Sequence, residues 1–330
     1  MDDAWTGPTV GQLGELAVLD RIVRRLPAGA PDVGPGDDCA VVAAPDGRFV
    51  VTTDMMVHGP DFRWAWSSPA DVGWKAAATN LSDVAAMGAT PSGLVIALAA
   101  PQETPVAVLE SFADGVGAAV DALSPGCGVV GGDLSTSAVF TVSVTAFGDL
   151  GGRAPVLRSS ARPGDVLAVS GELGSAARGL ARLFRDGVDA HGEPSRSATV
   201  ASGADTDPDV DRQRRPVPPI ADGPLAATAG ATAMLDLSDG LAIDAGRLAR
   251  ASRVTLDLDA DGVAGADDLA LHGGEDHGLL ATFPPGVALP GGFRRIGAVV
   301  ARGGADLVRG GEPVPTTGWD PYADWDGAAG

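Results

Sequence analysis

Acidic residues in this chain gather at short, polar or glycine-flanked stretches beside apolar runs: Gly36–Asp38 (GDD), Thr52–Asp54 (TTD), Asn80–Asp83 (NLSD), Gly131–Asp133 (GGD) and Asp236–Gly240 (DLSDG). Aspartate and threonine held at strand ends offer oxygen ligands from rigid supports. Hard divalent cations such as Mg²⁺ take such oxygens together with phosphate and water, and adjacent glycines let a backbone or a phosphate come close. TTD poses the problem most sharply, because it interrupts the apolar run VVTTDMMV. A lone ionised carboxylate there is costly unless it is paired or bound to metal. Each stretch alone also has an ordinary reading. GDD suits a turn. GGD suits either a strand end opening into a tight turn or a ligand site. In DLSDG, Ser238 or Asp239 either caps the next helix or faces a phosphate at its N-terminus. Asp83 falls in the last turn of a helix, where the macrodipole disfavours an anion; a plain surface aspartate is the alternative.

The elements that must hold these residues can be read from spacing and punctuation. Ser68-Pro69 is an N-cap followed by proline at the first helical position, which predicts a helix running toward Met87-Gly88. A second helix is expected from Pro105 to Leu123, and residues 10–26 have the apolar spacing of an amphipathic helix. CAVVAA, RFVVTTD, PSGLVIALAA, CGVVGGD and AVFTVSVTAFG read as strands. Further on, DVLAVSG and TAMLDLS read as strands, with helices at GSAARGLARLF and Leu241–Ala251. Asp186–Gln213 is polar without an apolar period and reads as a flexible insertion. A Gly/Arg/Pro-containing connection around Leu150–Gly164 separates two α/β halves, residues 1–150 and 151–330.

The totals limit the function classes. The chain has 330 residues, 45% of them hydrophobic, and a formal net charge of −20. That charge argues against non-specific nucleic-acid binding, which draws its affinity from a basic face. It leaves room for nucleotides bound through divalent metal. Lys75 is the one lysine. Two cysteines, Cys39 and Cys127, make no disulfide framework. The acidic start MDDAWTGPTV lacks a signal-peptide pattern, and the apolar run GLVIALAA is too short to span a bilayer. A soluble cytoplasmic protein is expected. GxxxxGK[ST], HExxH, CxxC and GxSxG are absent, and SGELGSAARG lacks the GxGxxG spacing.

Taken in order, GDDCAVV, VTTDMMV, DVGWKAAATNLSDVAAMGATP, GGDLS, LRSSARPGD, VSGELGSAARGL, LDLSDGLAID and GGEDHGLLAT closely resemble the thiamine-monophosphate kinase family. That family falls within the larger group of aminoimidazole ribonucleotide synthetase and selenophosphate synthetase. The resemblance runs from GELAVLDRI to Trp319. It implies an α/β fold with mixed sheets and two domains, an N-terminal domain that dimerises and binds ATP, and a C-terminal domain that completes the substrate site. It also implies direct transfer of the γ-phosphoryl group of ATP to thiamine monophosphate, with several Mg²⁺ ions and no phosphoenzyme.

Matched residue by residue, the resemblance makes Asp38, Thr52, Thr53, Asp54, Asp83, Asp133, Asp236 and Asp239 metal ligands, directly or through water. Gly132, Asp133, Arg158 and Ser238 would contact ATP, with Asp54, Asp133 and Arg158 supporting the transferring phosphoryl group. Arg158 could instead be an ordinary surface arginine of the linker. Glu275 and Trp319 match positions near the thiamine moiety, although Trp319 could equally pack the C-terminus. Two departures stand out. The family's usual substrate-contacting histidine is Asp61 here, with His58 three residues earlier, and the family's GGEDYE is GGEDHG, with His277 and Gly278. Another enzyme of the same larger group, or a non-catalytic nucleotide- or thiamine-binding protein, are the rival readings. Selenophosphate synthetase would need a reactive cysteine in a Gly-rich segment, whereas Cys39 leads into an apolar strand.

Overall fold

The computed structural model describes residues 5–29, 31, 42–261, 263 and 268–318. Asp38, Cys39 and Trp319 lie outside the described residues, as does the first half of the strand expected at Cys39–Ala44; its second half, Val42–Ala44, is described and is not a strand. The chain opens with helices α1 (Val10–Leu13) and α2 (Glu15–Val23), then strand β1 (Val50–Val57), α3 (Pro69–Ala86), β2 (Thr90–Ala100), α4 (Val106–Leu123), β3 (Val129–Thr136) and β4 (Thr141–Asp149). It continues with β5 (Val166–Ser170), α5 (Ser175–Asp186), α6 (Arg196–Ala201), a 3₁₀ turn at Ala204–Thr206, α7 (Pro208–Arg214), α8 (Asp222–Thr228), β6 (Ala233–Leu237) and α9 (Leu241–Ser252). The last elements are β7 (Val254–Leu258), α10 (Asp268–His272), β8 (Gly278–Phe283), β9 (Arg294–Ala301), β10 (Leu307–Arg309) and β11 (Glu312–Pro313).

The strands form two mixed sheets, ordered β1-β4-β2-β3 and β11-β10-β7-β9-β5-β8-β6. Among the described strands only the β2–β3 and β7–β10 pairs are parallel. The mixed α/β class expected from the sequence is therefore present. The first sheet alternates faces along each strand. Val142, Val144 and Ala146 of β4 are buried beneath α3 and α4, while the residues between them are half-buried on the other face. Helices α3 and α4 cross very closely. A Cβ at Gly73 would lie 2.0 Å from Phe112 O, and one at Gly115 would lie 2.0 Å from Ala70 O. Apolar burial is continuous from this layer into the second sheet, through Leu81, Val84 and Ala85 to Met234, Leu279 and Phe283. Helix α3 is thus the element shared by both halves.

Two expectations need correction. The helix predicted over residues 10–26 is broken at Gly14, whose φ is 78°, so the capping box between Thr9 and Gln12 starts only the four-residue α1. The segment Asp186–Gln213, expected to lack structure, folds as α6, the 3₁₀ turn and α7. Its helices are too short to show a period, but each has a local start: Ser195 caps α6, and Asp207 followed by Pro208 caps α7. Tertiary bonds anchor it. Trp66 Nε1 donates to Gly187 O at 2.8 Å, Arg182 pairs with Asp207, and Val210 is fully buried with Trp66 and Leu183. Among the described residues no helix is long and apolar enough to cross a membrane.

Candidate active site

Strand alternation decides which part of TTD meets α3. The residues opposite Thr52 and Asp54 on β4 are Ala146 and Val144, both buried under the helices. Thr52 and Asp54 therefore share the inner face, and Thr53 points away from it. Thr52 Oγ1 donates to Asp83 Oδ2 at 2.7 Å, and the Asp54 amide donates to Asn80 Oδ1 at 3.1 Å. Asn80 and Asp83 are three residues apart on α3, so one helix face presents both to β1. Thr53 instead donates to Val144 O at 2.9 Å, on the exposed side. Thr53 thus lies off the face that Thr52 and Asp54 share, because a strand turns consecutive side chains to opposite faces.

The second sheet brings the other carboxylates. Asp236 sits near the end of β6, facing His277 Nδ1 at 3.5 Å. Asp239 follows in the loop, and its side chain accepts from Arg247, which also pairs with the buried Asp244. Burial, then the charges of Asp236 and Asp54, push the Asp83 carboxyl up to about 7, against the Thr52 hydrogen bond and His277. Asp54 is accessible to solvent yet ringed by protein. Desolvation raises its pKa, with Asp236 and Asp239 adding to the effect and His277 opposing it. Burial alone would strip the proton from His277, but its bond to Asp236 and the charges of Asp236 and Glu275 hold the imidazole above its ordinary value. Asp54, Asp83, Asp236 and Asp239 are therefore one electrostatic group drawn from both halves of the chain. Among the described residues no three His, Cys, Asp or Glu side chains close a metal shell by themselves. Such an arrangement suits Mg²⁺ carried in by phosphates, which keeps waters and takes only one or two protein carboxylates.

A cavity of 530 Å³ opens beside this group, with walls that include Asp61, Phe62, Trp66, Phe184, Gln213 and Glu275. Asp61 accepts the Val57 amide at 2.7 Å, closing the turn after β1. Burial raises its carboxyl; the Val57 amide and Lys75 oppose that, and Glu275 and Asp54 add to it. Asp61 thus links the cavity to the carboxylate group. Across the cavity, Glu275 and His277 both have left-handed backbones, with φ of 72° and 53°. Such strain in non-glycine residues concentrates at functional sites. Here it sends three consecutive side chains in three directions. Glu275 lines the cavity, Asp276 accepts the amides of Gly174 and Ala176 at the start of α5, and His277 meets Asp236. The Glu275 amide donates to Ser238 O at 2.8 Å, which places Ser238 directly behind this turn.

The remaining expected residues are placed less centrally. GGD does not end a strand: Gly132 and Asp133 lie inside β3, at the edge of the first sheet. A Cβ at Gly132 would sit 2.3 Å from Ile96 O, so the β2–β3 pairing itself requires glycine there. Asp133 is in register with Ala97, Ser143 and Met55, on the face opposite Asp54. Within one protomer the fold does not bring Asp133 to the carboxylate group. Arg158 is exposed in a turn, and its carbonyl accepts from Ser252 Oγ. Asn80, Lys75, Gln213 and the Asp244–Arg247 pair were missed as site residues. Only Asn80 left a sequence signal, its spacing from Asp83.

Known proteins share this chain's sequence and fold. The family described as AIR synthase related protein, N-terminal domain, matches residues 36–150. The thiamine-monophosphate kinase of Mycobacterium tuberculosis is 44% identical over 340 residues, covering 98% of this chain and 96% of the relative. The crystal structure of thiamine-monophosphate kinase from Stenotrophomonas maltophilia K279a matches with a TM-score of 0.73 and 31% identity, over 92% of this chain and 98% of that one. A structure described as AaThiL complexed with AMPPCP and TMP matches with a TM-score of 0.68 and 30% identity, over 93% of this chain and 96% of that one. The chain belongs to the thiamine-monophosphate kinase family.

Proposed function

We propose that the chain transfers the γ-phosphoryl group of ATP directly to the phosphate of thiamine monophosphate, giving thiamine diphosphate. The observation that carries this reading is the adjacency of two features. One is a carboxylate group from both halves of the chain, centred on Asp54, Asp83 and Asp236. The other is a 530 Å³ cavity whose aromatic walls carry two further carboxylates, Asp61 and Glu275. Aromatic walls with acidic groups suit a flat, cationic heterocycle bearing an amino group. The structure described as AaThiL complexed with AMPPCP and TMP supports the same pair of substrates.

The chemistry asks little of a general base, because the accepting phosphate oxygen is already anionic at neutral pH. Positioning and charge neutralisation carry the reaction. Mg²⁺, when bound, would neutralise phosphate oxygens and hold donor and acceptor in line. Asp54, Asp83, Asp236 and Asp239 would hold several such ions, one or two carboxylates to each. Thr52 fixes the orientation of Asp83, and Asn80 fixes the backbone of Asp54. Ser238 and Arg158 remain candidates for nucleotide contact, as do Gly132 and Asp133 at the sheet edge. We further propose a cytoplasmic homodimer, its support being the bare apolar face of the first sheet.

A coupled ADP-release assay with Mg²⁺, ATP and thiamine monophosphate tests the activity. Turnover is expected. Its absence in well-folded protein would sink the kinase reading. Asp54→Asn should lower kcat at least about a hundredfold, the scale of losing one transition-state charge contact, while circular dichroism stays native. Near-wild-type turnover in that variant would remove Asp54 from the site.

A further inference from the structure

We infer that Gln213, at the end of α7, is a positioning residue that sets Glu275 for the heterocycle of the substrate; this rests on the kinase reading above. The two oxygens of Glu275 are held separately. Lys75 Nζ donates to Oε1 at 2.7 Å, and Gln213 Nε2 donates to Oε2 at 3.3 Å. Both donors are buried, Lys75 at 4% and Gln213 at 6% exposure, while the Glu275 side chain is 34% exposed and lines the cavity. The carboxylate is therefore gripped from the protein side and open on the ligand side. One lone pair on each oxygen is used, and one on each remains for a ligand N–H.

The orientation of Gln213 follows from chemistry. Only the amide NH₂ can face a carboxylate, because the carbonyl end would repel it. That choice leaves Gln213 Oε1 buried without a hydrogen-bond partner among the described residues. An unmet buried acceptor is unfavourable and asks for a reason. Holding Glu275 in one rotamer, on an already left-handed backbone, supplies it. Helix α7 is itself fixed by the Asp207 cap, by the Arg178–Asp209 pair at 3.1 Å and by buried Val210. Gln213 therefore sets substrate affinity through Glu275 and leaves the phosphoryl-transfer group, on the other side of the GGEDHG turn, untouched.

The test uses the full chain. Gln213→Met keeps the length and removes the donor. It should raise KM for thiamine monophosphate about tenfold, the loss of one hydrogen bond to a charged group, while kcat and KM for ATP stay within about twofold. Gln213→Glu, which keeps the size, should raise it further by setting a carboxylate against Glu275. In a Glu275→Met background, which removes both carboxylate oxygens, Gln213→Met should add nothing, since the acceptor is gone. An unchanged KM for thiamine monophosphate in folded Gln213→Met overturns the inference. So does a full additional loss in the Glu275→Met background, which would show that Gln213 acts elsewhere. Wild-type protein without turnover ends the kinase reading instead. Gln213 is then judged by calorimetric binding of thiamine monophosphate to the same variants, where equal affinity with and without Gln213→Met overturns it.

Discussion

At the scale of single residues, burial first and neighbouring carboxylates second keep the Asp83 and Asp244 carboxyls from full ionisation. Asp83 is raised from 3.8 to about 7, by burial first and then by Asp236 and Asp54. Asp244 is raised to about 6, by burial first, with Asp239 and Asp236 adding to it. Between the unfolded and folded values, the folded protein holds protons that the unfolded chain has released. Unfolding therefore becomes easier as pH rises through that window. The metal-free protein is expected to lose thermal stability from about pH 5 to about pH 7, with Asp83→Asn flattening the slope because its amide mimics the protonated acid. Mg²⁺ should raise Tm more at the upper end, because binding requires ionised carboxylates. Thermal unfolding in EDTA and in MgCl₂ reads both effects. A metal-free Tm that climbs through the window, or an unchanged slope in Asp83→Asn, would contradict the mutual coupling of these groups.

At the scale of elements, α3 does most of the positioning. It presents Lys75 to Glu275, Asn80 to the Asp54 backbone and Asp83 to Thr52. Its seat depends on glycine contacts with α4, where a Cβ at Gly115 would meet Ala70 O at 2.0 Å. Gly115→Ala must push the helices apart, at a cost of about 1–3 kcal/mol or more, seen as a lower denaturant midpoint with reduced turnover. A wild-type midpoint would show that the helices yield without strain. This helix was legible in the sequence because Ser68, Pro69 and Asp71 spell its start: the Ser68 and Asp71 side chains form a capping box. Helices α6 and α7 were not legible, because they are six and seven residues long and held by tertiary partners such as Trp66 and Arg182. The same split runs through the site. Asp54 and Asp83 were singled out from local pattern, and strand alternation already places Thr53 on the face opposite Asp54. Gln213 reaches Glu275 only through the packing of α7, which no local pattern encodes.

At the scale of the molecule, the two halves bury their apolar surfaces against α3, yet one large face stays bare. Among the described residues, the first sheet is covered by α3 and α4 on one side only. On the other side Phe49, Val51 and Met55 are 57%, 58% and 61% exposed, and Phe49 packs edge-on against Phe147 at 5.7 Å. Thr53, with Thr145 and Ser143 beside it, lies between Val51 and Met55 on this face, and large apolar side chains exposed together on a sheet face mark a contact surface. Asp133 lies on this face, in the register row of Met55, Ser143 and Ala97. A second copy seated here would therefore bring Asp133 against protein. That gives a physical route by which Asp133 could join a site that the single protomer does not assemble around it. The double substitution Val51→Asp with Met55→Asp places two charges on the bare face and none on the face of Asp54. Light scattering after size exclusion should find the wild type at twice the chain mass at about 10 µM, and the variant at the chain mass, since like charges across a two-fold interface repel. A wild type at the single-chain mass would remove the dimer. The assay then separates structure from chemistry. If the site needs the second copy, the monomeric variant loses turnover although neither substituted side chain faces the carboxylate group. If it turns over at the wild-type rate, each protomer is complete and Asp133 acts outside the reaction.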